Sequence, residues 1–232
     1  MKKIFTFCIA SAAVIVMIFV SWNWPGWRDP AHPDTWARLS QFAWAVVAGC
    51  IVVFLVIVSM GVTKRPLGFL INERNLMSLS RFQTVLWMVI ILSSYFVIAV
   101  SKVVMGLPDP LEIGVDEKLW ALMGISLTSL VGTSLINSTK TNKNPDNREV
   151  EKTAKALVES NNLPVSVARA EQPEKVATVV KEIKANREGT LYANPSTADA
   201  SFNDMFQGDE CGNAAYIDMA KVQMFFSLLW LR

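Results

Sequence analysis

Residues 82–100 read FQTVLWMVIILSSYFVIAV. This stretch holds no Asp, Glu, Lys, Arg or His, and its apolar residues run on without the alternation of a half-buried strand. About 20 helical residues cross the hydrocarbon core of a bilayer. Backbone groups placed there must satisfy one another, so the stretch predicts a transmembrane α-helix. Residues 4–20, 42–62 and 119–136 are charge-free in the same way. The expected fold is all-α: a polytopic helical membrane protein with four transmembrane helices, a partial fifth and a cytoplasmic helical insertion.

Composition agrees. Of 232 residues, 52% are hydrophobic and 18% charged, with 8 Trp and 12 Phe. Soluble domains average about 25% charged, and mean hydropathy here is +0.32. A single ordinary soluble domain is excluded. The net charge of +2, from 22 basic and 20 acidic residues, gives no global signal for nucleic acid, which is not expected as a partner. Cys8, Cys50 and Cys211 show neither a disulfide framework nor zinc-type spacing. The first apolar stretch is longer than a signal-peptide core of about 7–15 residues and lacks a small-x-small cleavage site. An uncleaved first span is expected.

Basic residues set the orientation. Lys2 and Lys3 precede span one; Lys64, Arg65, Arg74 and Arg81 lie between spans two and three; Lys140, Lys143, Arg148, Lys152 and Lys155 follow span four. The opposite loops hold Arg28, Arg38, Lys102 and Lys118, beside the acidic Asp109, Glu112, Asp116 and Glu117. The positive-inside rule then makes the N-terminus, the 63–81 loop and the 137–220 region cytoplasmic, in a multi-pass plasma (inner) membrane protein. Trp22, Trp24, Trp27, Trp36 and Trp44 crowd the first outer loop and its ends, and Trp120 opens span four. An apolar ring with a polar N–H suits the headgroup zone, so these read as an aromatic belt rather than a ligand platform.

The loop before span three ends in Ser80, Arg81, Phe82 and Gln83, the S-x-x-Q pattern of a helix-opening capping box. Arg81 can reach headgroup phosphates while Phe82 faces lipid. Leu67, Phe69, Leu70, Ile71, Leu76 and Met77 surround Glu73 and Arg74, which suggests an interfacial segment with a solvated turn at its centre. In span four Gly124, Thr128 and Gly132 share one helix face; Ala45 and Gly49 repeat the pattern in span two. Small residues at this spacing allow close helix packing. Ser126, Thr128, Ser129, Thr133 and Ser134 could instead line a polar passage, although no ionisable group lies within the span.

Residues 137–220 are polar. Val150, Ala154, Leu157 and Val158 predict an amphipathic helix over 148–161, and Val176, Val179, Val180 and Ile183 a second over 173–187. Their apolar stripes are thin, so they must pair with each other, with a second copy or with a protein partner. Residues 189–203 read as loop, and 208–213 as a polar turn without metal-binding character. Hydropathy therefore divides the chain into a four-span region at 1–136, a cytoplasmic polar helical region at 137–220, and residues 221–232. The last begin with Lys221 and Gln223 before an apolar run. That run reads as the start of a truncated fifth span or an interfacial anchor.

Three stretches resemble a family of uncharacterised multi-spanning bacterial membrane proteins. They are Arg74-Asn75 through Ser78-Leu79-Ser80-Arg81-Phe82-Gln83, Gly124-Ile125-Ser126 through Gly132, and Gly212-Asn213-Ala214 through Lys221-Val222-Gln223-Met224-Phe225-Phe226. The resemblance covers roughly residues 70–226. It implies tandem pairs of spans, each opened by a basic-x-Gln element, with the second pair continuing beyond this chain. It carries no activity.

No catalytic constellation is legible. The sole histidine, His32, lies between Ala31 and Pro33, and HExxH, G-x-S-x-G and a phosphate-binding glycine loop are absent. No catalytic residue, cofactor or metal is expected. The expected role is a non-enzymatic membrane anchor or scaffold subunit whose cytoplasmic helices dock a partner or a second copy. The alternative is a channel or transporter component using the hydroxyl face of span four.

Overall fold

A computed structural model describes residues 33–114, 116–159 and 172–229. These residues form α-helices and short 3-10 turns, with isolated bridges and no strand. In chain order the α-helices are α1 (Pro33–Thr63), α2 (Leu79–Val104), α3 (Glu117–Lys140), α4 (Asn147–Glu159), α5 (Gln172–Asn186) and α6 (Met219–Leu229). Three of them are long and apolar enough to cross a membrane, over Gln41–Thr63, Leu79–Val104 and Glu117–Lys140. The first expected span, with Trp22, Trp24 and Trp27, lies outside the described residues. Only 11%, 33% and 6% of the three apolar windows is buried against protein. So much uncovered apolar surface exceeds what a soluble fold exposes and is consistent with lipid contact.

Chain contacts divide the protein into two units: Met1–Phe69 with Gln83–Leu127, and Leu70–Phe82 with Thr128–Arg232. In the first, Ala43, Val47 and Ile51 of α1 are buried with Val89 and Val97 of α2. The α1 residues recur every four positions, so a small residue and two β-branched ones form a single stripe. Trp44 donates its indole N–H to Ser94 Oγ at 3.0 Å. The last turn of α1 is closed by hydroxyls. Thr63 Oγ1 donates to the Ser59 carbonyl (2.9 Å), while Ser59 Oγ donates to the Arg65 carbonyl (2.8 Å) and accepts from the Phe69 amide (3.0 Å). Lys64 takes the left-handed conformation (φ 62°) that ends the helix. Gly68 must be glycine because a Cβ there would collide with the Thr63 side chain.

The second unit has its own core. Val150, Ala154, Leu157 and Val158 of α4 bury their stripe against Val179 and Ile183 of α5, and Leu76, Tyr192, Cys211 and Ala214 close it. The two amphipathic helices thus satisfy each other, with help from loop residues the hydropathy pattern does not mark. Helix α5 ends one residue before its expected limit, and the described part of α4 runs over Asn147–Glu159. Residues 189–203 are a tied-down loop containing the 3-10 turn Thr197–Asp199. A second turn, Phe202–Phe206, is closed by a capping box between Ser201 and Asp204.

Helix α2 starts at Leu79, two residues earlier than the Ser80 capping box requires. The Ser78 carbonyl accepts the Phe82 amide at 3.0 Å, so Ser78 occupies the cap, and Ser80 Oγ is instead 3.3 Å from Ser129 Oγ. At the far end of α3 the turn at Gly189 (φ 64°) lies against the backbone of Lys140 and Thr141, where a Cβ would clash. The Thr190 amide donates to the Lys140 carbonyl at 3.2 Å.

Replacing Gly189 with Ala therefore imposes left-handed strain and a backbone clash together, and should cost about 1–3 kcal/mol. A matched Gly49→Ala change, with no atom within 4 Å of the added Cβ, should not lower stability. Thermal unfolding of both variants in detergent tests the contrast.

Candidate functional site

Arg74 organises the polar unit. Its side chain is 5% exposed, and Nη2 is 2.9 Å from Asp209 Oδ1. Nη1 donates to the carbonyls of Tyr192 (3.1 Å) and Asp209 (3.0 Å). The turn carrying it is locally encoded. Asn72 Oδ1 accepts from the Arg74 and Leu76 amides, each at 3.0 Å, and Asn75 sits at φ 58°. This is an Asx-type turn, in which a side-chain carbonyl replaces a backbone acceptor. Asn75 and Asn194 then exchange side-chain donors and backbone acceptors at 2.9 and 3.0 Å. The solvated turn expected here is in fact a buried tie.

Asp209 also pairs with Lys221 of α6 at 3.0 Å. Burial pushes its carboxyl up, but the Lys221 and Arg74 charges outweigh that and hold it below its ordinary 3.8. Asp204 is shifted the other way. Burial raises it, and hydrogen bonds from Ser201 and the Met77 amide offset this only in part. Burial pushes the Cys211 thiol up to about 11, so at neutral pH it is protonated and a poor nucleophile. Burial likewise raises the Tyr192 phenol.

Within the same unit lies a half-open cavity of about 270 Å³. One wall is the turn before α2, with Asn72, Glu73, Arg74, Ser78 and Arg81. The other is the end of α3, with Thr133, Ser134, Asn137, Ser138 and Thr141, and Glu188 and Leu191 complete it. Arg81 Nη1 donates to the Ile71 carbonyl at 2.6 Å. The α3 hydroxyls are turned inward electronically. Thr133, Ser134, Ser138 and Thr141 donate to the carbonyls of Ser129, Leu130, Leu135 and Ser138 at 2.7–3.1 Å. Each has given away its proton and keeps only acceptor capacity.

The sequence-derived residues fall in different places. Arg81 lines the cavity, and Ser80 and Gln83 are buried beside it in chain order. Lys221 is in the ion network; Gln223 is exposed on α6. Phe82 meets Phe225 with ring centroids 6.2 Å apart, so the openings of α2 and α6 are neighbours through aromatic contact. Trp120 is exposed at the start of α3, and Trp36 lies on α1. Ala45 is exposed, whereas Ala43 and Val47 do the packing. Among the described residues nothing lies within 4 Å of a Cβ built on Gly49, Gly124 or Gly132. Thr128 is exposed on the same helix as the two α3 glycines. Asp209, Asn137 and Glu188 went unmarked by sequence; the signal for Arg74 was its place, beside Glu73, between Leu70, Ile71 and Leu76.

Arg74→Met should destabilise the polar unit by about 3 kcal/mol, because it strands a carboxylate and two carbonyls. Maleimide labelling of the buried Cys211 should rise accordingly. The pH dependence follows from the lowered Asp209 value: its stabilisation is complete at neutral pH and is lost as pH falls through that value, below 3.8. Asp204 acts oppositely, since protonation at its raised pKa favours the folded state. The stability difference between the parent and Asp209→Asn should therefore shrink in melts below about pH 4. Comparison of the chain with family models, curated proteins and solved structures finds no match to any of them.

Proposed function

We propose that this chain is a non-enzymatic membrane anchor or scaffold subunit that holds a small folded unit at the cytoplasmic face of a plasma (inner) membrane, with its N-terminus on that side. The observation that carries the reading is a contrast between helices. The apolar windows of α1 and α3 are almost uncovered by protein, while α4 and α5 bury their apolar residues in a core of their own. Lipid is the solvent that the first pair requires. The second pair needs none, and its bound loop residues keep the unit in one shape.

The docking surface in this proposal is the polar outer side of α4 and α5, since their apolar stripes are already used. Lys152 and Lys155 on α4 and Lys181 and Lys184 on α5 are exposed. A partner or second copy would meet charge there rather than an apolar groove. The channel reading has less support. The hydroxyls of Thr133 and Ser134 are committed to their own helix, and coupled transport usually uses an ionisable group within the membrane.

Three measurements test the proposal. The chain should remain in the pellet after alkaline carbonate extraction. A cysteine placed at Asn142 should be labelled by an impermeant reagent only after the cytoplasmic side is opened. Reversing Lys152, Lys155, Lys181 and Lys184 to Glu should abolish a specific co-purifying partner or lower the oligomeric state without reducing insertion. If association is unchanged by that reversal, the docking role fails.

A further inference from the structure

The charges around the cavity between the Asn72–Arg81 turn and the end of α3 do not match a simple anion site. Arg74 is buried and paired with Asp209, which Lys221 shares. Arg81 lines the cavity and forms no ion pair among the described residues; its guanidinium is steadied from one side by the Ile71 carbonyl. Glu73 and Glu188 also line it, are exposed, and likewise form no ion pair among the described residues. The α3 hydroxyls have spent their protons on their own helix. The inventory is thus one available cation, two carboxylates, several α3 hydroxyl oxygens that can only accept, and the Asn72 and Asn137 carboxamides and Ser78 hydroxyl, which can donate or accept.

A ligand complementary to that set carries one anionic group for Arg81 and one cationic group rich in N–H donors for the acceptors. A phosphate alone would meet two carboxylates. A trimethylammonium group would offer no N–H to the hydroxyl oxygens. We propose that the cavity binds an ethanolamine phosphate group, with the phosphate at Arg81 and the primary ammonium toward Glu73, Glu188 and the α3 hydroxyls. Its volume of about 270 Å³ is near the lower end of small-molecule sites, roughly 300 Å³, and suits a headgroup rather than a larger metabolite.

Position favours a lipid as the source. Arg81 is in the first turn of α2, where an apolar stretch able to cross a bilayer begins. Thr133 to Thr141 run through the end of α3 and include its exposed Leu135 and Ile136. At 1.5 Å per residue they span roughly 12 Å, enough to reach from the hydrocarbon edge through the headgroup layer. This placement rests on the membrane reading above; the charge matching does not.

The test uses the full chain, purified in detergent and reconstituted in nanodiscs of equimolar phosphatidylethanolamine, phosphatidylcholine and phosphatidylglycerol. Native mass spectrometry reads the lipid retained on release. Phosphatidylethanolamine should be retained at least fivefold over each of the others. Arg81→Gln and Glu188→Gln should each remove that preference with no change in melting temperature, and Arg81→Lys should keep part of it. A parallel titration with free phosphoethanolamine separates the sources. Saturable binding of the free compound without lipid enrichment assigns a soluble ligand of the same chemistry, and enrichment assigns the lipid. Equal retention of phosphatidylcholine, or binding that survives both substitutions, overturns the proposal. Carbonate extraction reads the membrane reading separately, so the two can fail independently.

Discussion

The guanidinium of Arg74 is buried, and everything that makes the polar unit a unit converges on it. It meets one carboxylate and two backbone carbonyls, and the carboxylate is shared with Lys221 at the base of α6. A buried ion pair of this kind adds little net stability compared with a well-packed apolar substitute. Its effect is on specificity: the turn at residues 72–76 has one place to dock, and Leu76 enters the core beside Val150 and Tyr192 as a result. The Asn75–Asn194 exchange fixes the register of the same contact.

From that tie follow two otherwise separate features. The α2 opening is set by the docked turn, so Arg81 and Ser78 occupy a wall of the cavity. The opposite wall is the end of α3, held by the Lys140–Glu210 pair at 2.6 Å and by the Gly189 turn. The chain thus builds a polar recess at the ends of two strongly apolar helices. Neither helix would provide it alone.

Hydropathy made much of this architecture legible. Runs free of charge located the apolar windows of α1, α2 and α3 to within a few residues, though α1 itself begins nine residues before its run, and the 3.6-residue spacing of Val150, Ala154, Leu157 and Val158 located α4. Local patterns failed where the deciding partner was distant in sequence. Ser80 and Gln83 satisfied a capping pattern, yet the docked turn let Ser78 cap the helix instead. Ala45 and Gly49 matched a packing pattern, while the α1 residues buried with α2 are Ala43, Val47 and Ile51. Residues 70–82 read as part of the membrane region because nothing near Arg74 in sequence reveals Asp209.

The separation between those two residues carries a cost in time. Asp209 lies 135 residues after Arg74, and ribosomes add about 5–20 residues per second. For roughly ten seconds after it emerges, that arginine has a positive charge and a long side chain but no carboxylate to meet. During this interval the turn at residues 72–76 has no docking partner, so the core that Leu76 shares with Cys211 and Ala214 cannot close until that segment has been made. Synthesis order thus puts the closing of the polar unit after the apolar helices α1, α2 and α3 have all been made.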